Sequence, residues 1–474
     1  MARPQHKPRG PGFWLVRLLM ILAASFTAMV QPAATQSILR DAETEQLLND
    51  ISRPLIEAAG LQPGNVRIVL LYDRTINAGV AGGQIVYINS GLITSAENAN
   101  EVQGVIAHEL GHITGGHIIR LQEGIQQATG IMLLSLVLSG LAMAAGGGEA
   151  AMGVLAAGQQ AAMGRFLAFS RVQENSADQA GATYLTRAGI SGRGSLAFFR
   201  RLQNLEFRLN IPQDNGYART HPLNQERIAR LENTYQNDPA WDRPTDPALE
   251  ARFQRVRAKL AGYVDDARQV LVRYPASDRS VPGRYARAYA YHRTAHPEQA
   301  LAEAESLLRD APRDPYFLEL HGQILLESGR PRDALVSLRE AVEEAPDQPL
   351  IAALFGHALI ATEDPANFEE AERVLRVAVQ RDNSNPFAWY QLGIVYDREG
   401  DQPRAALATA ERYSLTGQPQ LALPNAEQAM MGLPVGTPDW LRAQDIAMVS
   451  RTAVQRARNG NRDRNRERQR EQAN

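Results

Sequence analysis

Apolar residues recur three and four apart from residue 42 to 60, which predicts an amphipathic helix. The pattern then changes period. Residues 66–72 and 85–89 read as strands, and the glycine-rich stretch 77–84 between them reads as a turn. A second helical pattern follows and carries His108, with Ser95 or Asn98 available as its cap. Residues 130–145 are almost wholly apolar, Gly146, Gly147 and Gly148 break the run, and 150–157 form a shorter apolar stretch. A run of about 16 residues falls short of the roughly 20 that cross a bilayer. The segment 130–157 therefore predicts a helical hairpin that packs near the His108 helix or makes peripheral contact with a membrane. A transmembrane hairpin is the alternative.

Past residue 280 the pattern repeats. Trp389, Leu392, Gly393 and Tyr396 match the tetratricopeptide spacing W-x2-L-G-x2-Y, and Ala405 stands where the second helix needs a small side chain. Gly356 and Gly322 hold equivalent places 34 residues apart, Ala334 follows Gly322 by twelve, and Pro346 closes that repeat. Gly356 and Ala371 are fifteen apart, so three residues are inserted near Glu363, Asp364 and Pro365. Ala300 and Pro312 mark an earlier, weaker unit. Four helical hairpins over 281–419 are expected, stacked into a surface that binds other proteins. A helical connector (246–280) precedes them and a helical extension (420–455) follows. Residues 456–474, mostly Arg, Asn, Gln and Glu, read as a disordered tail.

Composition narrows this picture. The chain has 474 residues, a formal net charge of −2 and no cysteine. That excludes thiolate metal ligands, disulfides, a cysteine nucleophile and a lipidated N-terminal cysteine, and the charge gives no reason to expect a nucleic-acid partner. Arg3, Lys7 and Arg9 precede an apolar run from 13 to 30, with small residues after it. This reads as a secretory signal peptide over 1–34. An uncleaved anchor is the alternative, because Arg17 interrupts the run. Removal of the four basic side chains before residue 35 leaves a mature chain near −6. The expected architecture is mainly α: an α+β domain with a small β-sheet over 35–245, then an α-solenoid of repeats.

The chemistry lies in His108-Glu109-Leu110-Gly111-His112. Two histidines at i and i+4 share one helix face and can close on a single Zn²⁺, with Glu109 set toward a metal-held water. A catalytic zinc needs a third protein ligand. His117 is one residue short of the metzincin spacing H-E-x-x-H-x-x-G-x-x-H, and on a continuous helix it would point away from the histidine face. Glu174 and Asp178 are also i and i+4, so one helix face can offer a carboxylate to the metal and another to a ligand imidazole.

H-E-L-G-H followed by E-x-x-A-D, here Glu174, Ala177 and Asp178, resembles the gluzincin peptidases of the HtpX/CAAX-prenyl-protease family. With a signal before it and tetratricopeptide repeats after it, the chain is similar to the periplasmic beta-barrel assembly-enhancing branch of that family over roughly 40–440. The resemblance implies one zinc held by His108, His112 and Glu174, with Glu109 catalytic and Asp178 behind the ligands. It also implies a role for the Thr220-His221-Pro222 element and the Arg227 after it. His221 is either an oxyanion donor, a latch that fills the open zinc position, or a structural turn residue. Arg227 is expected to pair with a carboxylate such as Asp178. The expected substrates are unfolded or misassembled outer-membrane proteins, laid along strand 85–89 as an added strand. The repeats are expected to meet the β-barrel assembly machinery. A repeat-based chaperone with little proteolysis and an inner-membrane-anchored protease are the competing readings.

Overall fold

The computed structural model describes residues 37–145, 147–209, 221 and 225–473, with side chains described outside 205–209 and 460–473. The signal segment 1–34, Thr220 and Pro222 lie outside the described residues.

Helix α1 (Ala42–Ala58) starts where the Asp41 carboxylate accepts a hydrogen bond from the Thr44 amide. Strands β1 (Arg67–Leu71), β2 (Ala78–Ala81) and β3 (Ile85–Asn89) follow. Their order is β1-β3-β2, with β3 parallel to β1 and antiparallel to β2. Two expectations change here. The stretch 77–84 is not only a turn, and 85–89 is the central strand, paired on both sides, so it has no free edge for a substrate. The outer strands are β1, met at Leu71 by an isolated bridge to Ile38, and β2. Four residues, one of them Gly79, carry too few side chains to show a period of two.

The short α2 (Ser90–Ser95) leads to α3 (Ala99–Thr114), and Asn98 rather than Ser95 caps α3, accepting from the Glu101 amide. Helix α3 is buried at every position from Ala99 to His112, against the sheet and α1 and against α5 and α6. Helices α4 (His117–Ala144) and α5 (Gly148–Ala188) form a hairpin much longer than 130–157. Scattered polar residues such as Gln126, Gln127, Gln159 and Gln160 hid this length, because they interrupt an apolar run without breaking a helix. Helices α6 (Arg193–Leu209) and α7 (Gln225–Gln236) complete the domain's wall.

Helices α8 (Pro247–Val264) and α9 (Ala267–Arg273) connect to the repeats. Four hairpins pair α10 (Val281–Arg293) with α11 (Pro297–Asp310), α12 (Pro315–Glu327) with α13 (Pro331–Glu344), α14 (Pro349–Ala361) with α15 (Phe368–Arg381), and α16 (Pro386–Glu399) with α17 (Gln402–Leu415). At Gly322 and Gly356 a Cβ would sit 2.5 Å from Leu338 Cγ and Leu375 Cγ, which is why these helices need glycine where they cross. Helices α18 (Pro419–Gly432) and α19 (Pro438–Ala473) add a fifth pair around an alanine-rich core. Helix α19 runs through 456–473, where the composition reads as a disordered tail. Low hydrophobicity shows that a segment has no core to join, but Arg, Glu and Gln are good helix formers.

Polar contacts, the innermost of them buried, join the first domain to the repeats. Lys259 of α8 lies 2.5 Å from Asp41 and 3.3 Å from Glu43, and the Tyr285 hydroxyl of α10 donates to Glu43 at 2.7 Å. Arg255 makes a two-pronged pair with Asp314, the N-cap of α12, at 2.6 and 2.9 Å. Arg40 reaches Asp382 at 2.7 Å.

Candidate metal centre

Two helices set the site. Gly111 of α3 packs so closely on α5 that a Cβ there would lie 2.6 Å from the Ala177 carbonyl oxygen, and one at Gly181 would lie 3.0 Å from the Ala107–His108 backbone. This backbone contact brings Glu174 and Asp178, from α5, against His108 and His112.

The ligand atoms of His108, His112, Glu174 and His221 all lie within 4.8 Å of one another, and all four residues are buried. His108 Nε2 and His112 Nε2 are 3.1 Å apart, and Glu174 oxygens stand 3.5 Å from the first and 3.4 Å from the second. His221 Nδ1 is 3.2 Å from His108 Nε2 and from both Glu174 oxygens. A tetrahedral Zn²⁺ bound at about 2.0–2.2 Å holds its donors about 3.3–3.6 Å apart. Five of the six donor pairs match that spacing to within a few tenths of an ångström, and the three imidazoles and one carboxylate suit zinc.

A hydrogen-bonded layer orients these ligands. Asp178 faces His108 Nδ1 at 3.0 Å. Arg227 grips Asp178 from Nε at 2.8 Å and Nη2 at 2.9 Å, and its Nη1 reaches Glu174 at 3.1 Å. His117 lies outside the ligand group, yet it is part of the site. Its Nδ1 meets His112 Nδ1, the nitrogen away from the metal, at 2.9 Å. Gly116 makes this possible by ending α3 in the left-handed region at φ 63°, so His117 folds back instead of continuing around the helix. A Cβ on Gly115 would collide with the His117 ring at 2.2 Å. The Gly115-Gly116 pair was the sequence signal for this turn.

Glu109 is completely buried, and neither carboxylate oxygen accepts a hydrogen bond from the described residues. His221 Nε2 is 3.5 Å from Glu109 Oε1. Burial pushes the Glu109 carboxyl above its ordinary value, against the pull of His221 and His108. Burial works against a charge on His108 too, but Asp178 and Glu174 push it up to about 10. Burial also opposes ionisation of Glu174 and Asp178. His108 and His221 nevertheless hold Glu174 well below the usual carboxylate range, and His108 and Arg227 do the same for Asp178. Burial and the charge on His108 depress His112.

Comparison with known proteins follows the same lines. Residues 42–235 match the model of peptidase family M48. A putative beta-barrel assembly-enhancing protease of Vibrio cholerae is 24% identical over 292 residues, covering 60% of this chain and 59% of that protein. The beta-barrel assembly-enhancing protease of Escherichia coli K12 is 24% identical over 304 residues, covering 62% and 60%. The E. coli metalloprotease LoiP is 28% identical over 201 residues, covering 42% of this chain and 73% of LoiP. The chain thus spans less than two thirds of the length of the assembly-enhancing relatives it matches. The converged ligand set and the family match point the same way: residues 42–235 are similar to peptidase family M48, and His108, His112, Glu174 and His221 form a buried cluster suited to a single zinc-type ion.

Proposed function

We propose that this chain is a periplasmic zinc endopeptidase that cuts misfolded or stalled outer-membrane proteins, delivered by the signal at 1–34 and docked through its repeats to the β-barrel assembly machinery. The observation that carries the peptidase reading is the convergence of His108, His112 and Glu174 beside the buried Glu109 carboxylate, which accepts no hydrogen bond from the described residues. The names of the Vibrio and Escherichia relatives support the substrate class.

Zinc, when bound, supplies a Lewis acid for the scissile carbonyl and lowers the pKa of water. Glu109, kept basic by burial, takes a proton from the attacking water and passes it to the leaving amine. Asp178 holds His108 in the tautomer that leaves Nε2 free, and Arg227 fixes Asp178. A substrate backbone lies along the outer edge of β2, which packs on α3. Reading backbone rather than side chains suits unfolded clients.

His221 Nδ1 stands where a fourth zinc donor would stand, and its Nε2 faces Glu109. That placement favours a latch: His221 occupies the position a substrate needs and must leave before cleavage. With the latch closed, the repeats act as a chaperone array.

The test is cleavage of an unfolded β-barrel protein with zinc assayed in parallel. Wild type is expected to cut. Glu109→Gln is expected to bind about one zinc and lose 10²–10⁴-fold or more of the rate. His221→Ala is expected to raise basal cleavage; a fall would instead assign His221 as an oxyanion donor. Cutting by Glu109→Gln at the wild-type rate would remove the mechanism.

A further inference from the structure

The α4–α5 hairpin is built the wrong way round for water. Its seam is small and polar. A Cβ at Gly158 would lie 1.7 Å from the Ser135 hydroxyl oxygen, the Ser139 hydroxyl donates to the Ala151 carbonyl, and Ala151, Gly158 and Ala162 are the buried positions of α5 there. The outer surface of α4 is apolar. Leu133, Leu134, Leu136, Val137, Leu138 and Leu141 are all exposed, from 47% to 63%. Helical spacing spreads these six over about 200° of the circumference, which is every direction that α5 does not cover. A groove on a protein partner covers a stripe; an arc this wide needs a surrounding apolar phase.

Charge and length point the same way. Residues 124–164 carry one charged side chain, Glu149, at the tip of the hairpin. Charges return at the base on both helices, with Arg120 and Glu123 on α4 and Arg165 and Arg171 on α5. The apolar part of α4, from Ala128 to Ala144, is about 26 Å long at about 1.5 Å per residue. By length and composition α4 suffices to cross a membrane. The exposed Gln159 and Gln160 of α5, however, place that helix on a wet side. The arrangement fits a hairpin lying in the interface, α4 toward the acyl chains and α5 backing it toward the headgroups.

We propose that α4 embeds its outer face in the surface of a lipid bilayer, which would hold the metal centre at the membrane. Glu174 is on α5 itself, 16 residues beyond Gly158 and so about 24 Å along the helix. The inference rests on the hairpin's own surface and holds whether or not the chain cleaves proteins.

The absence of cysteine makes the test clean, since one introduced thiol takes one label. In the full chain, Leu136→Cys on α4 and Val336→Cys, an exposed repeat position, each carry an environment-sensitive nitrobenzoxadiazole dye. Both variants are checked for unchanged zinc content. Vesicles of phosphatidylethanolamine and phosphatidylglycerol, three to one, are then added. The expected result is a blue shift and at least a twofold rise in emission at 136, quenched by brominated acyl chains, and no change at 336. No response at 136 overturns the proposal. So does a response at 136 that appears without vesicles as protein concentration rises, with a doubled mass in light scattering, because the occupant would then be a second copy. Because the readout is lipid contact, its failure is separate from any failure of the peptidase reading.

Discussion

Helix α5 is one continuous helix with two unlike halves. Its C-terminal half buries Glu174, Ala177, Asp178, Gly181 and Leu185 against α3, and ionisable groups there are held by named partners. Its N-terminal half backs the hairpin and leaves Met152, Met163 and Leu167 in the open. The backbone is the same, and what differs is the neighbour. Where α3 lies alongside, close approach makes charge burial workable, because each charge finds a partner. Where only α4 lies alongside, small residues close the seam and the larger apolar groups are left outside.

The strongest way to break this contrast is to push α3 and α5 apart. Gly111→Val places side-chain atoms on the Ala177 carbonyl. It is expected to cost about 3 kcal/mol by overpacking and to lower zinc content from one per chain toward none. Full zinc occupancy would show that the helix contact does not position Glu174.

Next comes a pair on the same helix. Leu185→Ala removes a side chain only 1% exposed and is expected to cost about 2–5 kcal/mol in urea unfolding. Met163→Ser, at a position 59% exposed, is expected to stay within about 0.5 kcal/mol in aqueous buffer. Equal costs would mean that the hairpin has a hidden protein partner in solution.

His117→Ala is expected to weaken zinc binding by about 10–100-fold, as for other residues that orient a ligand histidine. His117→Asn, which keeps a hydrogen-bonding group near His112 Nδ1, is expected to recover part of the loss in a chelator competition. Unchanged affinity in His117→Ala would reduce the His117–His112 contact to packing.

A pH effect lies at the domain junction, where burial is less well compensated. Burial pushes Glu319 up to about 8 despite the nearby Lys259, with Asp41 and Glu43 adding to the rise. One of its carboxylate oxygens is buried and accepts no hydrogen bond from the described residues. The folded state therefore holds a proton that the unfolded state, near 4.5, has released. Stability from this group is full below about 4.5 and falls as pH rises through about 8. Thermal unfolding of Glu319→Gln is expected to lose less between pH 5 and 8 than wild type. Parallel curves would remove Glu319 as the cause.

Local pattern settled much of this protein. The i, i+4 spacing placed His108 with His112 and Glu174 with Asp178, because helical periodicity is a property of neighbours in the chain. The 34-residue period likewise marked the repeats, since each hairpin meets only the next. Tertiary structure decided the rest. That 85–89 is the central strand depended on β2, too short to announce itself. That His117 supports His112 depended on a left-handed Gly116, which a reading of continuous helix passes over. That the apolar run is a hairpin facing outward depended on which neighbours the fold supplied, since an apolar sequence reads the same in a core or in the open. Bringing the histidine pair to the carboxylate pair, about 60 residues away in the chain, required two helices to touch at Gly111 and Gly181, and such long-range contacts leave only a glycine as their trace in the sequence.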